Sequence, residues 1–143
     1  LFFILLGLFS AWLTDSLAYF AGRFFGKHKM APNISPKKTI EGAVGGAFAG
    51  VLSSVILFLV FDSKYFTVHL FTWWEIAIIS LILCIIGMCG DLSASVLKRN
   101  FGVKDYGKLF PGHGGVMDRF DSALFVLGAL YAIIIIYSRI KLA

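Results

Sequence analysis

Residues 73–91 read WWEIAIISLILCIIGMCGD, and this stretch decides the fold. The eighteen residues from Trp73 to Gly90 carry one charge, Glu75, beside two tryptophans at the start. At ~1.5 Å per residue a helix of that length reaches roughly 27 Å, close to the ~30 Å hydrocarbon core of a bilayer. A soluble domain of 143 residues has no interior large enough to hide several such runs, and 59% of this chain is hydrophobic. The bilayer is therefore the solvent, and backbone polar groups inside it must be satisfied within helices. Glu75 and its tryptophans suit one interface. A helix running from Trp73 delivers Asp91 to the other end, with Ser95 four residues later on the same face.

Three further apolar segments flank this one: residues 1 to about 20, 43–61 and 123–138. The second of these crosses as it stands. The last has 16 residues up to Ser138, so it borrows length from Phe120 to Ser122 or from Arg139 and Lys141 reaching outward. The expected fold is an all-α integral membrane bundle of about four transmembrane helices, one membrane-embedded domain over residues 1–143. The chain opens inside an apolar run, LFFILLGLF, with no initiating Met, so it is expected to be a fragment of a longer polytopic protein with earlier helices. Cys84 and Cys89 share one apolar run, and a helix turns them to different faces. They read as small buried hydrophobes, neither a disulfide nor metal ligands.

Between the segments lie polar loops at 22–42, 62–72 and 91–122. The first and third each hold five Lys and Arg residues, ten of the chain's 13. Alternation puts both loops on one side of the membrane, and the excess of positive charge makes that side cytosolic. Arg139 and Lys141 on the far side do not outweigh ten. The net charge of +5 is too small and too segregated to imply nucleic acid. Asp15 follows the first apolar run. A carboxylate near hydrocarbon is expensive unless it faces a polar cavity or a partner, so Asp15 either points inward or sits wet at a helix end.

The third loop reads DLSASVLKRNFGVKDYGKLFPGHGGVMDRFD from Asp91 to Asp121. Asp91, Asp118 and Asp121 are hard oxygen donors of the kind Mg²⁺ selects, and Mg²⁺ uses one or two carboxylates while substrate phosphates fill its shell. Lys98, Arg99, Lys104, Lys108 and Arg119 supply positive charge for polyphosphate. Pro111 to Gly115, with His113, Gly114 and Gly115, offers backbone with few side chains just before a helix start, where phosphate can approach amide N–H groups. Each feature has a plainer account: an acidic first turn, a structural His in a glycine turn, a basic membrane anchor, an exposed Lys104–Asp105 pair. Their concentration in thirty residues beside an intramembrane Asp favours a site.

Residues 95–121 resemble the diagnostic motif of the phosphatidate cytidylyltransferase family: S-x-x-K-R, four residues, K-D, then P-G-H-G-G-x-x-D-R-x-D. Ser35-Pro36-Lys37-Lys38-Thr39-Ile40-Glu41-Gly42 is similar to that family's S-P-K-K-T-x-E-G loop, and Asp15-x-x-Ala18-Tyr19-x-x-Gly22-Arg23 to its D-x-x-A-Y-x-x-G-R stretch. The resemblance covers most of the chain, in family order. It implies a catalytic domain in which the two cytosolic loops form the site, and a reaction of CTP with phosphatidate that gives CDP-diacylglycerol and pyrophosphate. By this resemblance Asp91 and Asp118 bind Mg²⁺, or Mn²⁺, with Asp121 a ligand or a neighbour, and there is room for a second cation. Lys37, Lys38, Lys98, Arg99, Lys104 and Arg119 are expected to hold the triphosphate and the lipid phosphate. Ser35, Thr39 and Ser95 are expected to add hydroxyl contacts. The bilayer is the medium, the compact loops suit a bacterial plasma membrane, and a homodimer is compatible with the pattern. The rival enzyme is a CTP-dependent polyprenol or phytol kinase. A cation channel or transporter using Asp15 and Asp91 leaves the basic glycine-rich loop unexplained.

Overall fold

The structure is a computed structural model that describes residues 2–32, 34–65, 71–103 and 117–142, less the side chains of 62–65, 117–119 and 141–142. Helix α1 (Phe2–Phe25) is followed by strands β1 (Lys29–Ala31) and β2 (Ser35–Thr39), then helices α2 (Ile40–Tyr65), α3 (Trp73–Asn100) and α4 (Met117–Leu142). The described residues thus contain four helices long and apolar enough to cross a membrane, as the hydropathy pattern predicts.

The boundaries differ from the sequence reading at the polar ends. Helix α1 runs through Gly22 to Phe25, and the remainder of the expected 22–42 loop folds into an antiparallel hairpin, with Lys29 opposite Thr39 and Ala31 opposite Ser35. Helix α3 does not stop at Asp91 but continues to Asn100, so Asp91, Ser95, Lys98 and Arg99 sit on a helix and not in a loop. It ends where Gly102 takes a positive φ of 68°. The Val103 N–H then donates to the Lys98 carbonyl at 3.0 Å, and the Gly102 N–H to that of Arg99 at 3.0 Å. Helix α4 begins at Met117, earlier than the expected 123, which places Asp118 and Asp121 in its opening turns.

Helices α1 and α2 pack through small residues spaced one turn apart. Ser10, Thr14, Ala18 and Gly22 face Ser54, Gly50, Gly46 and Gly42 in antiparallel register. A Cβ on Gly46 would lie 2.5 Å from the Ala18 Cβ and 2.7 Å from the Thr14 carbonyl oxygen, so the backbones meet only because no side chain intervenes. The Ser10 and Ser54 hydroxyls are 3.0 Å apart, and Thr14 Oγ1 reaches Cys84 Sγ of α3 at 3.0 Å. Both cysteines are free; Cys84 is buried as expected, whereas Cys89, expected to be buried too, is exposed because the helix turns it to the outer face.

At the end away from the hairpin, Phe2 packs edge-on to Phe58, and Phe71 stacks on Tyr137 at 4.4 Å. Glu75 accepts hydrogen bonds from the Thr72 N–H at 2.6 Å and hydroxyl at 2.8 Å, and from the Tyr137 hydroxyl. It therefore closes the start of α3 and ties it to α4, a role beyond the interfacial belt its position suggested. Outward, α2 presents Val44, Phe48, Leu52 and Ile56 at four-residue spacing, all exposed, as a helix facing lipid does.

Candidate active site

The charged residues gather at the end where the hairpin meets the tips of α1, α2, α3 and α4. Thr39, the last residue of β2, caps α2: its Oγ1 accepts the Gly42 N–H at 3.2 Å. The Ile40 N–H donates to the His28 carbonyl at 3.0 Å, and the His28 ring Nδ1 lies 2.6 Å from Glu41 Oε1, so the hairpin base is fixed against α2. Across the hairpin, Lys29 Nζ donates to the Pro36 carbonyl at 2.7 Å. Arg99 Nε of α3 donates to the Ile34 carbonyl at 3.3 Å, which ties the turn region down. These contacts suspend Lys37 and Lys38 over the helix ends.

Three polar links then join the elements. Lys38 Nζ forms an ion pair with Asp91 Oδ2 of α3. Lys98 Nζ lies 3.6 Å from Asp121 Oδ2 of α4, with both side chains almost fully buried. The Ser122 hydroxyl donates to Asp15 Oδ2 of α1 at 2.8 Å, and the Ser122 N–H to Asp121 Oδ1 at 2.8 Å. Asp15 also feels the charges of Asp91, Lys38 and Asp121. The sequence left Asp15 either inward or wet; it is inward, lining a cavity beside Lys38 and accepting a hydrogen bond from a hydroxyl of α4.

A cavity of about 290 Å³ opens among Asp15, Tyr19, Ser35, Lys37, Lys38, Thr39 and Asp91, with Ala43 and Met88 on its apolar wall. Ala43 and Met88 also begin an apolar groove of about 620 Å³ between α2 and α3, whose further walls include Phe48, Val51, Ile78 and Leu81. Ala43 and Met88 thus stand between the chamber that holds the charged groups and a hydrocarbon-lined furrow.

Of the residues expected from sequence, Ser35, Lys37, Lys38, Thr39 and Asp91 line this cavity, and Lys98 and Asp121 form the ion pair between α3 and α4. Arg99 is engaged with the hairpin, and half-buried Ser95 lies one turn beyond Asp91 on α3. The side chains of Asp118 and Arg119, together with Lys104, Lys108, His113, Gly114 and Gly115, lie outside the described residues. Among the described residues no three Asp, Glu, His or Cys side chains converge as a metal site; Asp91 and Asp121 each face a lysine ammonium. Asp15, expected to face a polar cavity or a partner, lines this one, whereas sequence reasoning did not place Tyr19, Met30 or Met88 in its wall. The signal for Tyr19 was present, since it lies one turn from Asp15 on the same helix.

The fold and site define a polytopic helical membrane protein whose helix tips and hairpin enclose a chamber with Asp15 and Asp91 set against Lys37 and Lys38, bordered at Ala43 and Met88 by an apolar groove. The model of the cytidylyltransferase family matches residues 1–137, and the chain belongs to that family. It is 46% identical over 135 residues to a phosphatidate cytidylyltransferase of Staphylococcus saprophyticus. It is 44% identical over 135 residues to those of Staphylococcus haemolyticus and Staphylococcus aureus. Each alignment covers 94% of this chain and 50% of the relative, so the chain spans about half the length of the curated relatives it matches.

Proposed function

We propose that this chain carries the catalytic centre of a phosphatidate cytidylyltransferase, which transfers CMP from CTP to phosphatidate and yields CDP-diacylglycerol and diphosphate. The observation that carries the reading is the meeting of the charged cavity and the apolar groove at Ala43 and Met88. A substrate with an ionised head and hydrocarbon tails fits that junction, whereas a water-soluble acceptor has no use for the groove.

A phosphate oxygen of the lipid attacks the α-phosphorus of CTP. One P–O bond forms, the bond to the bridging oxygen breaks, and its electron pair leaves with diphosphate. Nucleophile and leaving group are both already ionised, so no protein base is needed and positioning with charge neutralisation dominates. Lys37 and Lys38 sit over the cavity to meet phosphate oxygens, and Asp91 orients Lys38. Thr39 uses an oxygen lone pair to cap α2 and keeps its proton to donate to phosphate. Ser35 and Ser95 are further hydroxyl donors. Lys98 is held by Asp121; Arg99, Lys104 and Arg119, with the backbone around His113, Gly114 and Gly115, complete the anion-binding set. Asp91 and Asp121 fit a cation that takes one or two carboxylates and fills its shell with phosphate, and with Asp118 they would hold Mg²⁺ or Mn²⁺. Bound there, it would supply Lewis-acid polarisation of the phosphate oxygens. The site faces the cytosol of a bacterial plasma membrane, where CTP is available.

The test uses membranes containing the full-length protein, phosphatidate and Mg²⁺. Label from α-labelled CTP should enter the lipid and label from γ-labelled CTP should not; the reverse identifies a lipid kinase. EDTA should abolish the reaction and added Mg²⁺ restore it, and turnover in a rigorously metal-free preparation would remove the cation from the mechanism.

A further inference from the structure

A second groove adjoins the chamber. A polar groove of about 400 Å³ runs between the tip of α1 and the hairpin, lined by Tyr19, Gly22, Arg23, Gly26, Lys29, Lys37 and Thr39. It shares Tyr19, Lys37 and Thr39 with the charged cavity and no residue with the apolar groove. Its lining holds three cations, Arg23, Lys29 and Lys37, and among the described residues no carboxylate. The central cavity, by contrast, sets Asp15 and Asp91 against Lys37 and Lys38. Charge therefore rises from nearly balanced to strongly positive on going from the chamber into this groove.

The reaction has its own directional demand. In displacement at phosphorus the entering and leaving oxygens lie roughly in line, on opposite sides of the transferred group. The lipid enters where the apolar groove meets the chamber, at Ala43 and Met88. The leaving group must depart by a different side, and the basic groove adjoins the chamber at Tyr19, Lys37 and Thr39, away from the Ala43 and Met88 junction. We infer that Arg23, Lys29 and Lys37 form the seat of the leaving diphosphate, holding the two terminal phosphates of the nucleotide before transfer and inorganic diphosphate after it. This inference rests on the cytidylyl-transfer reading above and adds Arg23 and Lys29 to the site.

The local structure suits that task. Lys29 is braced by its bond to the Pro36 carbonyl, and Arg23 lies one turn beyond Tyr19, whose hydroxyl is 3.4 Å from its guanidinium. A guanidinium and two ammoniums around one groove match a ligand with several adjacent anionic oxygens better than a single phosphate monoester. The alternative source of phosphate is the lipid head itself, whose charge is smaller and whose tails tie it to the apolar wall.

The experiment compares Arg23→Gln, Lys29→Gln and the double variant with Lys27→Gln, which removes an equal charge at a neighbouring exposed position outside the groove. Full-length protein in lipid nanodiscs is assayed for equilibrium binding of radiolabelled inorganic diphosphate, for its inhibition of turnover, and for KM of CTP and of phosphatidate. Loss of one charged hydrogen-bond donor should weaken diphosphate binding and inhibition about 10- to 100-fold and raise KM for CTP, with KM for phosphatidate unchanged. Inhibition by CMP, which lacks the distal phosphates, should not move. Lys27→Gln should leave all four quantities within about twofold of the unsubstituted protein. If KM for phosphatidate rises while diphosphate inhibition is unchanged, the groove holds the lipid head and the inference is overturned. If nothing moves, or Lys27→Gln acts as strongly, the cations are a solvated rim and it is equally overturned. Should Arg23→Gln fail to fold, Lys29→Gln decides alone, since Gln still offers a donor to Pro36. Label from α-labelled CTP reaching the lipid in the unsubstituted protein keeps failure of this inference distinct from failure of the cytidylyl-transfer reading.

Discussion

Replacing Lys98 by Met should destabilise the bundle more than any exposed charge change, and restoring neutrality at Asp121 should recover much of the loss. The pair joins α3 to α4 at 3.6 Å, with the two side chains 11% and 8% exposed. At that separation and an effective dielectric of about 20 the attraction is about 4–5 kcal/mol. Met keeps the length and removes the charge, which leaves the Asp121 carboxylate buried without its counter-ion. Breaking one side of a buried pair costs about 3–5 kcal/mol, and the Ser122 N–H at 2.8 Å from Asp121 Oδ1 still stabilises the carboxylate. A loss near the lower end, about 3 kcal/mol, is expected. Lys98→Met combined with Asp121→Asn no longer buries a lone charge and should regain at least half of it. The assay is unfolding in mixed micelles followed by tryptophan fluorescence, with CTP-dependent lipid product measured on the same samples. Turnover should stay low in both variants, because both residues belong to the proposed site whether or not the fold is intact. A loss below about 1 kcal/mol in Lys98→Met, or a double variant less stable than the single one, would refute the reasoning and mark the pair as solvated.

Gly46→Val should cost about 1–3 kcal/mol by forcing α1 and α2 apart, whereas Gly128→Val, where an added Cβ meets nothing within 4 Å, should not; the same unfolding assay compares them. Asp118→Asn should lower turnover about 10²–10³-fold at unchanged thermal stability if Asp118 is a cation ligand, while Asp105→Asn should cost far less; near-normal turnover by Asp118→Asn across a range of Mg²⁺ concentrations would remove it from the site. In sealed cells and a background without Cys84 and Cys89, an impermeant thiol reagent should label a cysteine placed at Ser63 and spare one at Asn100; the opposite pattern would invert the topology.

The spans were legible because hydrocarbon selects for uninterrupted apolar runs, and that signal survives without any knowledge of packing. The same signal goes silent where a helix leaves the membrane. Nothing apolar announces that α3 continues from Asp91 to Asn100, although Lys98 and Arg99 followed by Gly102 are the usual marks of a helix end in water. The hairpin was illegible for a related reason: Ser35-Pro36-Lys37-Lys38-Thr39 has no alternation of apolar and polar residues, and its strand pairing rests on backbone contacts and on Arg99 beneath it. The four-residue ladders of Ser10, Thr14, Ala18, Gly22 and of Gly42, Gly46, Gly50, Ser54 were readable on the page, and a search for small residues at one-turn spacing would have paired α1 with α2.

Candidate residues were easier to name than their partners. The sequence motifs pointed to Lys38, Asp91, Lys98 and Asp121, but Lys38 and Asp91 are separated by an entire helix, and Asp15 and Ser122 by 107 residues. Only packing shows that each polar link joins a different pair of elements: hairpin to α3, α3 to α4, α4 to α1. The groups proposed to meet phosphate and cation are thus the same groups that close the end of the bundle. Any substitution among them removes a structural tie along with a chemical one, so lost turnover alone assigns no role. The two contributions separate only when neutral pairs are compared with single lesions, because a neutral pair restores the buried electrostatic balance while leaving the phosphate without its cation.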